Sequence, residues 1–272
     1  MDDAKAHQQA AAAGGKGRGR VGVVLPGDNR QRVADTTLPP SRWIGQLETD
    51  WPNGDVGVGT ATLIGTRHLL TCAHNFYDTE KKQSCRAARF RPGANRAANG
   101  NALVPYGTYN VKTMHVPEDY RTNGGPPPPA WGITYDDITL YVSDYAVAEL
   151  DRDVADPPGA SMLAPNWPGD AHVNGLGCRI NGYSGDRDAT GHTQYTRTGN
   201  VRLSDDASLV TYQMSTYEGD SGSGVFYQPA GVQYWTIIAV HVTGVPDTGN
   251  QDGLNFGPSM SGDALSWVQA RL

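Results

Sequence analysis

The sequence predicts an all-β fold, and three observations carry that prediction. Glycine and proline are abundant, with 34 and 18 of 272 residues, about a fifth of the chain against a usual level of roughly 12%. From about residue 40 onward, short runs rich in β-branched and aromatic residues recur, punctuated by Gly, Pro, Asn and Asp. That is the pattern of short strands joined by tight turns, with antiparallel barrels or a sandwich as the default architecture. No heptad, collagen period or internal repeat is present. A helical bundle and a coiled coil are therefore excluded.

Taken in order, residues 1–22 stand apart. They hold Gln8-Gln9, a run from Ala10 to Ala13, and the basic stretch Gly14 to Arg20. Such low complexity predicts a disordered amino-terminal or pro-segment. It has no apolar centre and so does not read as a signal peptide. Lys16 is not followed by Ser or Thr and no strand precedes it, so the stretch is not a phosphate loop. Strands are expected at Thr60–Ile64, Tyr109–Met114, Ile138–Leu150, Cys178–Tyr183, Ser208–Met214 and Gln233–Val245. Pro126 to Pro129 predict a stiff exposed loop, and the prolines between Asp156 and Pro168 predict a linker between two β domains. The expected division is therefore 1–22, 23–155 and 156–272. At the carboxyl end Ser261 is placed to cap a short helix with Leu265, Val268 and Leu272 on one face.

Charge and cysteine content narrow the function classes. The net charge is −6, which gives no reason to expect nucleic acid or an anionic membrane surface as partner. No apolar run approaches the ~18 residues of a membrane span. The three cysteines, Cys72, Cys85 and Cys178, are an odd number and not a disulfide scaffold. A Cys72–Cys85 bridge and buried thiols both remain open. Cys72-x-His74 with Cys85 lacks a fourth ligand at zinc spacing, so no metal and no cofactor is expected. There is no Asn-x-Ser/Thr acceptor.

Three segments carry chemistry: Leu69 to His74, Ser143 to Leu150, and Glu218 to Gly224. Singly, each has an ordinary explanation as a core histidine, a surface acid or a tight turn. Together they supply what a serine nucleophile needs, a base to take its proton and a carboxylate to orient the base. The candidates are Ser221, His74 and Asp144, in the chain order His, Asp, Ser. The glycines flanking Ser221 suit a sharp turn that aims backbone N–H groups at an oxyanion, with Gly219 and Ser221 as the donors.

These segments resemble those of trypsin-like serine proteases, and more narrowly the glutamyl endopeptidase group. Thr71-Cys72-Ala73-His74 resembles the group's Thr-Ala-Ala-His box, Asp144-Tyr145-Ala146-Val147 its aspartate box, and Gly219-Asp220-Ser221-Gly222 its serine box. Val24-Leu25-Pro26 with Asp35-Thr36-Thr37, then Arg91-Pro92-Gly93, Pro105-Tyr106-Gly107 and the closing helix, extend the likeness over most of residues 23–272. Cys72 departs from the usual small residue, Asn75 stands where many relatives carry a disulfide cysteine, and the Pro126–Pro129 loop looks like an insertion.

The resemblance implies two antiparallel six-stranded β-barrels with a short carboxyl-terminal helix. His74 and Asp144 would come from the first barrel and Ser221 from the second. It also implies a specificity pocket. The residue six before the nucleophile is Ser215, not an acid, which argues against a pocket for Lys or Arg. Thr216 supplies a hydroxyl, and the strand from Ala239 to Gly244 lines the pocket in the family. His241 stands where glutamyl endopeptidases bind the acidic side chain of the substrate. A carboxylate entering a partly dry pocket needs such charge-assisted hydrogen bonds. The expected function is a monomeric serine endopeptidase cutting polypeptides after Glu, or less well Asp. By resemblance it is extracellular, and an activating protease would free Val21 or Val23. An intracellular regulated protease of other specificity, and a protease-like binding module without catalysis, are the competing readings.

Overall fold

The computed structural model describes residues 22–126, 133–155, 163–246 and 253–272. Residues 1–21, Pro127 to Pro129 of the predicted loop and 156–162 of the predicted linker lie outside them.

Six strands close into a barrel. They are β1 (Ile44–Asp50), β2 (Val56–Leu63), β3 (His68–Thr71), β4 (Ala87–Pro92), β5 (Tyr109–His115) and β6 (Ala146–Leu150). Their order around the barrel is β5-β6-β3-β2-β1-β4, and β5 returns to β4 to complete it. Alternation decides which side chains enter. In β4, Ala88, Phe90 and Pro92 are buried while Arg89 and Arg91 turn outward to Glu48 of β1. Leu47, Leu63, Leu69, Phe90, Ala148 and Leu150 share the inward face and fill the interior.

The second half is a different object. Its strands are β7 (Leu163–Pro165), β8 (Gly177–Gly182), β9 (Tyr195–Leu203), β10 (Leu209–Tyr212), β11 (Gly224–Tyr227), β12 (Trp235–Val240), β13 (Thr243–Val245) and β14 (Leu254–Pro258). They run in the order β7-β12-β11-β8-β9-β10-β14-β13, and a two-residue strand at Gln31–Arg32 joins β9 to make nine. The expectation of two six-stranded barrels is therefore wrong for this half, because the sheet curls but does not close. The obstruction is local. Closure would need β14 to pair along β12, but β7 already occupies that edge from Trp235 to Ile237 in parallel register. What remains is one isolated bridge, Ala239 to Ser259. Beyond Pro258 only single bonds reach the neighbouring strands, Ser259 N–H to Ser208 O at 2.9 Å and Met260 N–H to Ile238 O at 2.7 Å. A second core of Val173, Ile180, Val201, Val210, Val225 and Ile238 sits on this sheet.

Two predicted strands break where the site needs them to. Ile138–Leu150 is a 3₁₀ turn over Tyr135–Tyr141 followed by β6, and Asp144 lies in the joint between them. Gln233–Val245 breaks after Val240, and the backbone of His241 leaves the sheet for the serine loop. Its N–H donates to Ser223 O at 2.7 Å and its carbonyl accepts from Gly222 N–H at 2.8 Å. The closing helix α1 spans Gly262–Gln269. The Ser261 hydroxyl makes no cap bond and pairs with Ser259 Oγ at 2.8 Å instead. Val268 is buried but Leu272 is 54% exposed, so the predicted apolar face ends early. None of the three cysteines is in a disulfide.

Candidate active site

His74 follows β3 directly, inside a 3₁₀ turn over Ala73–Asn75 that swings its ring back toward the barrel rim. Asp144 meets it from the joint before β6. Its Oδ1 accepts from the His74 backbone N–H at 2.9 Å, and its Oδ2 lies 2.6 Å from Nδ1. Both side chains are fully buried. A carboxylate at Nδ1 holds the proton there, which leaves Nε2 as the acceptor. The Cys72 thiol points at that nitrogen, with Sγ 3.3 Å away.

The serine loop is clamped to the barrel by polar side chains. Ser221 O accepts from Thr60 N–H at 2.8 Å and from Asn75 Nδ2 at 3.1 Å. Asn75 also donates to Thr71 Oγ1, which in turn donates to Thr60 O. The loop presses so closely here that Gly222, at φ +91°, has no room for a Cβ against Thr71 and Thr60. Gly219, at φ +93°, has none against Tyr183 O. The N–H groups of Asp220, Gly222 and Ser223 find carbonyl partners. Among the described residues, no carbonyl accepts from the N–H of Gly219 or Ser221. Ser221 Oγ rests on Val242 O at 3.3 Å.

A buried ion pair sits beneath the loop. Asp220 and Arg197 both have fully buried side chains, with Nη1 donating to Oδ1 and Nη2 near Oδ2, each at 3.1 Å. Asp220 Oδ2 also accepts from Ser184 Oγ at 2.6 Å and from Tyr217 N–H at 2.9 Å. The peptide between Gly219 and Ser221 is thus fixed from below.

The predicted pocket residues divide. His241 is fully buried, with Nδ1 2.7 Å from the Tyr212 hydroxyl and Nε2 without a partner among the described residues. Burial pushes its pKa well below the ordinary 6.5, and the Arg197 charge adds to the shift. It is neutral at pH 7. Thr216 lies beside it, but its hydroxyl donates to Asn255 Oδ1 at 2.7 Å. Ser215 is turned elsewhere and its Oγ accepts from Leu25 N–H at 3.0 Å. Gly244 pairs with Asn255 and has no room for a Cβ against that side chain.

The amino-terminal chain runs into this pocket. Asn255 grips Val23 by both N–H and C=O, and Thr216 N–H donates to Val23 O at 3.1 Å. A Cβ on Gly22 would overlap the Thr216 hydroxyl and lie 3.0 Å from His241 Nε2. Arg30 anchors the same segment through Asp28 and Asp186.

Sequence reasoning did not find Arg197, Tyr212 or Asn255. Each is brought in by pairing across the second sheet and carries no local motif. Asn75 had a signal, as a polar residue where relatives carry cysteine.

A lowered His241 pKa has a consequence for stability. The unfolded chain takes up a proton near pH 6.5 that the folded chain refuses, so stability is full above that pH and falls as pH drops below it. Denaturant melts of the wild type and of His241→Gln from pH 7.5 down to about 5 should show a shallower acid loss in the variant. His115 and His192, lowered mainly by burial, leave a residual slope.

Comparison with known proteins agrees with this geometry. The family described as "Trypsin-like peptidase domain" matches residues 59–232. A glutamyl endopeptidase of Bacillus licheniformis is 28% identical over 225 residues, which is 82% of this chain and 61% of that protein. The chain therefore spans less than two thirds of that relative's length. A Bacillus subtilis protein named extracellular metalloprotease is 27% identical over 254 residues, 90% of this chain and 68% of its own. A solved Glu endopeptidase superposes with a TM-score of 0.70 at 24% identity, covering 92% of this chain and 99% of the other. The protease Anisep from Arthrobacter nicotinovorans gives 0.62 at 15%, covering 87% and 96%. The solved structures speak for the fold alone, while the matched domain covers well over half of the chain, which belongs to the trypsin-like peptidase family.

Proposed function

We propose that the chain is a serine endopeptidase that cuts polypeptides after Glu, and less well after Asp. The observation that carries this reading is the Asp144–His74 pair at 2.6 Å beside a clamped Gly-Asp-Ser-Gly loop. The Ser221 hydroxyl rotates off Val242 O toward His74 Nε2, gives up its proton there and attacks the scissile carbonyl. Asp144 stabilises the imidazolium so formed. The negative charge on the tetrahedral oxygen is met by the N–H groups of Gly219 and Ser221. His74 then protonates the leaving amine, and water hydrolyses the acyl-enzyme by the same route in reverse.

Specificity follows from the unpartnered His241 Nε2. With the Tyr212 hydroxyl donating to Nδ1, Nε2 carries a hydrogen that a substrate carboxylate would accept. Thr216 joins once its hydroxyl turns from Asn255. Ser215 acts by holding Leu25 and not by touching substrate.

In this state Gly22 occupies the same space, which supports residues 1–22 as a pro-segment to be removed by an activating protease. A chain beginning at Val23 should show a higher kcat/KM on Glu peptides than the chain beginning at Met1. Equal rates would remove the zymogen reading. The name of the Bacillus subtilis relative favours an extracellular setting. Among the described residues no helix is long and apolar enough to cross a membrane. We take the working form to be a monomer.

That same name raises a catalytic metal. Among the described residues the one cluster of possible ligands is Cys72, His74 and Asp144. Asp144 is spent on His74 Nδ1, so two ligands remain where a catalytic zinc takes three. The donor set does not fit, and no step is routed through a metal.

Cleavage-site profiling on a peptide library tests the proposal. Cuts after Glu that vanish with Ser221→Ala are expected. Cuts after other residues would discard the acidic pocket, and cuts that persist in the variant would discard the nucleophile.

A further inference from the structure

We infer that Ile133 closes the third pairing position of the substrate cleft, so that the enzyme reads the backbone of only two residues on the acyl side of the scissile bond. The inference rests on the reading of Ser221 as the nucleophile.

β13 is the last strand of the second sheet. β14 takes one of its sides, with Thr243, Gly244 and Val245 opposite Phe256, Asn255 and Leu254. Among the described residues no strand pairs with the other side. An open edge of this kind is where an extended peptide adds as a further strand. The edge begins at the nucleophile, since Ser221 Oγ lies 3.3 Å from Val242 O. Along a strand the carbonyls of residues two apart face the same way. Val242 O and Gly244 O are therefore successive acceptors for a substrate strand. His74, on the first barrel, protonates the leaving amine, so the acyl side runs along β13. The residue that supplies the scissile carbonyl then faces Val242, and the residue two before it faces Gly244.

The second acceptor is already spent. Ile133 N–H donates to Gly244 O at 3.0 Å. A carbonyl can accept twice, but a strand laid along this edge needs the side that Ile133 takes. Ile133 is held there by more than one bond. It is 8% exposed and belongs to the main core. The residue after it opens the 3₁₀ turn over Tyr135–Tyr141. Thr134 O accepts from Asp137 N–H at 3.2 Å, and Thr134 Oγ1 donates to Asp137 Oδ2 at 2.7 Å. The far end of that turn seats on β14 through an edge-on contact of Tyr141 with Phe256, ring centroids 6.2 Å apart. Tyr141 O also accepts from Asp144 N–H at 3.1 Å. The segment that presents Asp144 to His74 thus lays Ile133 across the edge of the cleft.

A residue over an edge strand also keeps other chains from pairing there. The response to substrate length separates a closed substrate position from such a guard alone. The test uses the full chain and, in parallel, the form beginning at Val23. A series from acetyl-Glu to acetyl-Ala-Ala-Ala-Glu, each with an anilide chromophore after Glu, gives kcat/KM as length grows. The third residue is the first to bring an N–H to Gly244 O. In the wild type its addition should leave kcat/KM flat, and N-methylation of that nitrogen should change nothing. Ile133→Pro removes the competing N–H, and circular dichroism checks that it folds. In this variant the third residue should raise kcat/KM by about fivefold, the worth of one net hydrogen bond, and N-methylation should abolish the gain. A merely structural role for Ile133 would lower all the rates together and leave the step untouched.

A step of that size in the wild type, abolished by N-methylation, would overturn the inference, because substrate then reaches Gly244 past Ile133. A flat series in both proteins would overturn it too, because the position is then not read at all. If Ile133→Pro does not fold, the wild-type series with its N-methylated member decides alone. No cutting of any peptide by either form would instead overturn the protease reading on which this one rests.

Discussion

Replacing Ser221 by Ala is expected to lower kcat by about four to six orders of magnitude while leaving the fold intact. The side chain is small, and its single described bond is a 3.3 Å contact to Val242 O, so its removal creates almost no cavity and strands no strong partner. The loop backbone is held by other groups. Ser221 O keeps Thr60 N–H and Asn75 Nδ2, and Asp220 keeps Arg197. The thermal midpoint should therefore move little while turnover collapses. On the proposed mechanism His74→Ala should match it in rate, because a nucleophile and its base act as a unit, and the double variant should be little worse than either alone. Burst kinetics on an activated Glu ester would check the assignment, since the acyl-enzyme burst must vanish with Ser221. A variant retaining a tenth of wild-type turnover would remove the serine from the chemistry.

Arg197→Met is expected to be the most damaging single change to the fold of the site. Arg197 and Asp220 are both fully buried. Truncating one member of such a pair strands the other charge, at a cost of about 3–5 kcal/mol. That is a large fraction of the roughly 5–15 kcal/mol that holds a domain folded. Activity should suffer as well. Asp220 lies between the two proposed oxyanion donors, and its carboxylate ties Tyr217 N–H and Ser184 Oγ to the loop. Once Asp220 seeks water, the Gly219 and Ser221 N–H groups lose their common direction, and kcat falls more than KM rises. Adding Asp220→Asn to Arg197→Met should recover part of the stability, because no unpaired charge is then buried. Urea melts of the two single variants and the double variant form the cycle. Additive losses would mean that the pair carries no coupling.

The candidate site was more legible in the sequence than the architecture around it. His74, Asp144 and Ser221 announce themselves because each sits in a short segment whose neighbours are dictated by backbone geometry. The 3₁₀ turn after β3 and the glycines at φ +93° and +91° are examples. Of the barrel strands, Val56–Leu63 and Tyr109–His115 were legible because rough alternation is a local property, whereas Ile44–Asp50, His68–Thr71 and Ala87–Pro92 were not picked out as strands. The path of the second sheet was not legible either. Whether it closes depends on which strand takes the free edge of β12, and β7 takes it in parallel register from far along the chain. No periodicity within Leu163–Pro165 records that partner. The same holds for Arg197 and Asn255, whose roles exist only once β9 and β14 are in place. Ile138–Leu150 shows the opposite error, where β-branched composition suggested one strand and Asp144 needed a turn.

The most direct measurement is covalent labelling with a fluorophosphonate, followed by peptide mapping, on a chain beginning at Val23. An activated serine is the one group that such a probe marks, and it does so whatever the natural substrate. One adduct per chain, on Ser221 and lost with His74→Ala, is the predicted result. An adduct on another serine, or none in a folded chain that begins at Val23, would contradict the assignment of Ser221, His74 and Asp144 as a working catalytic unit.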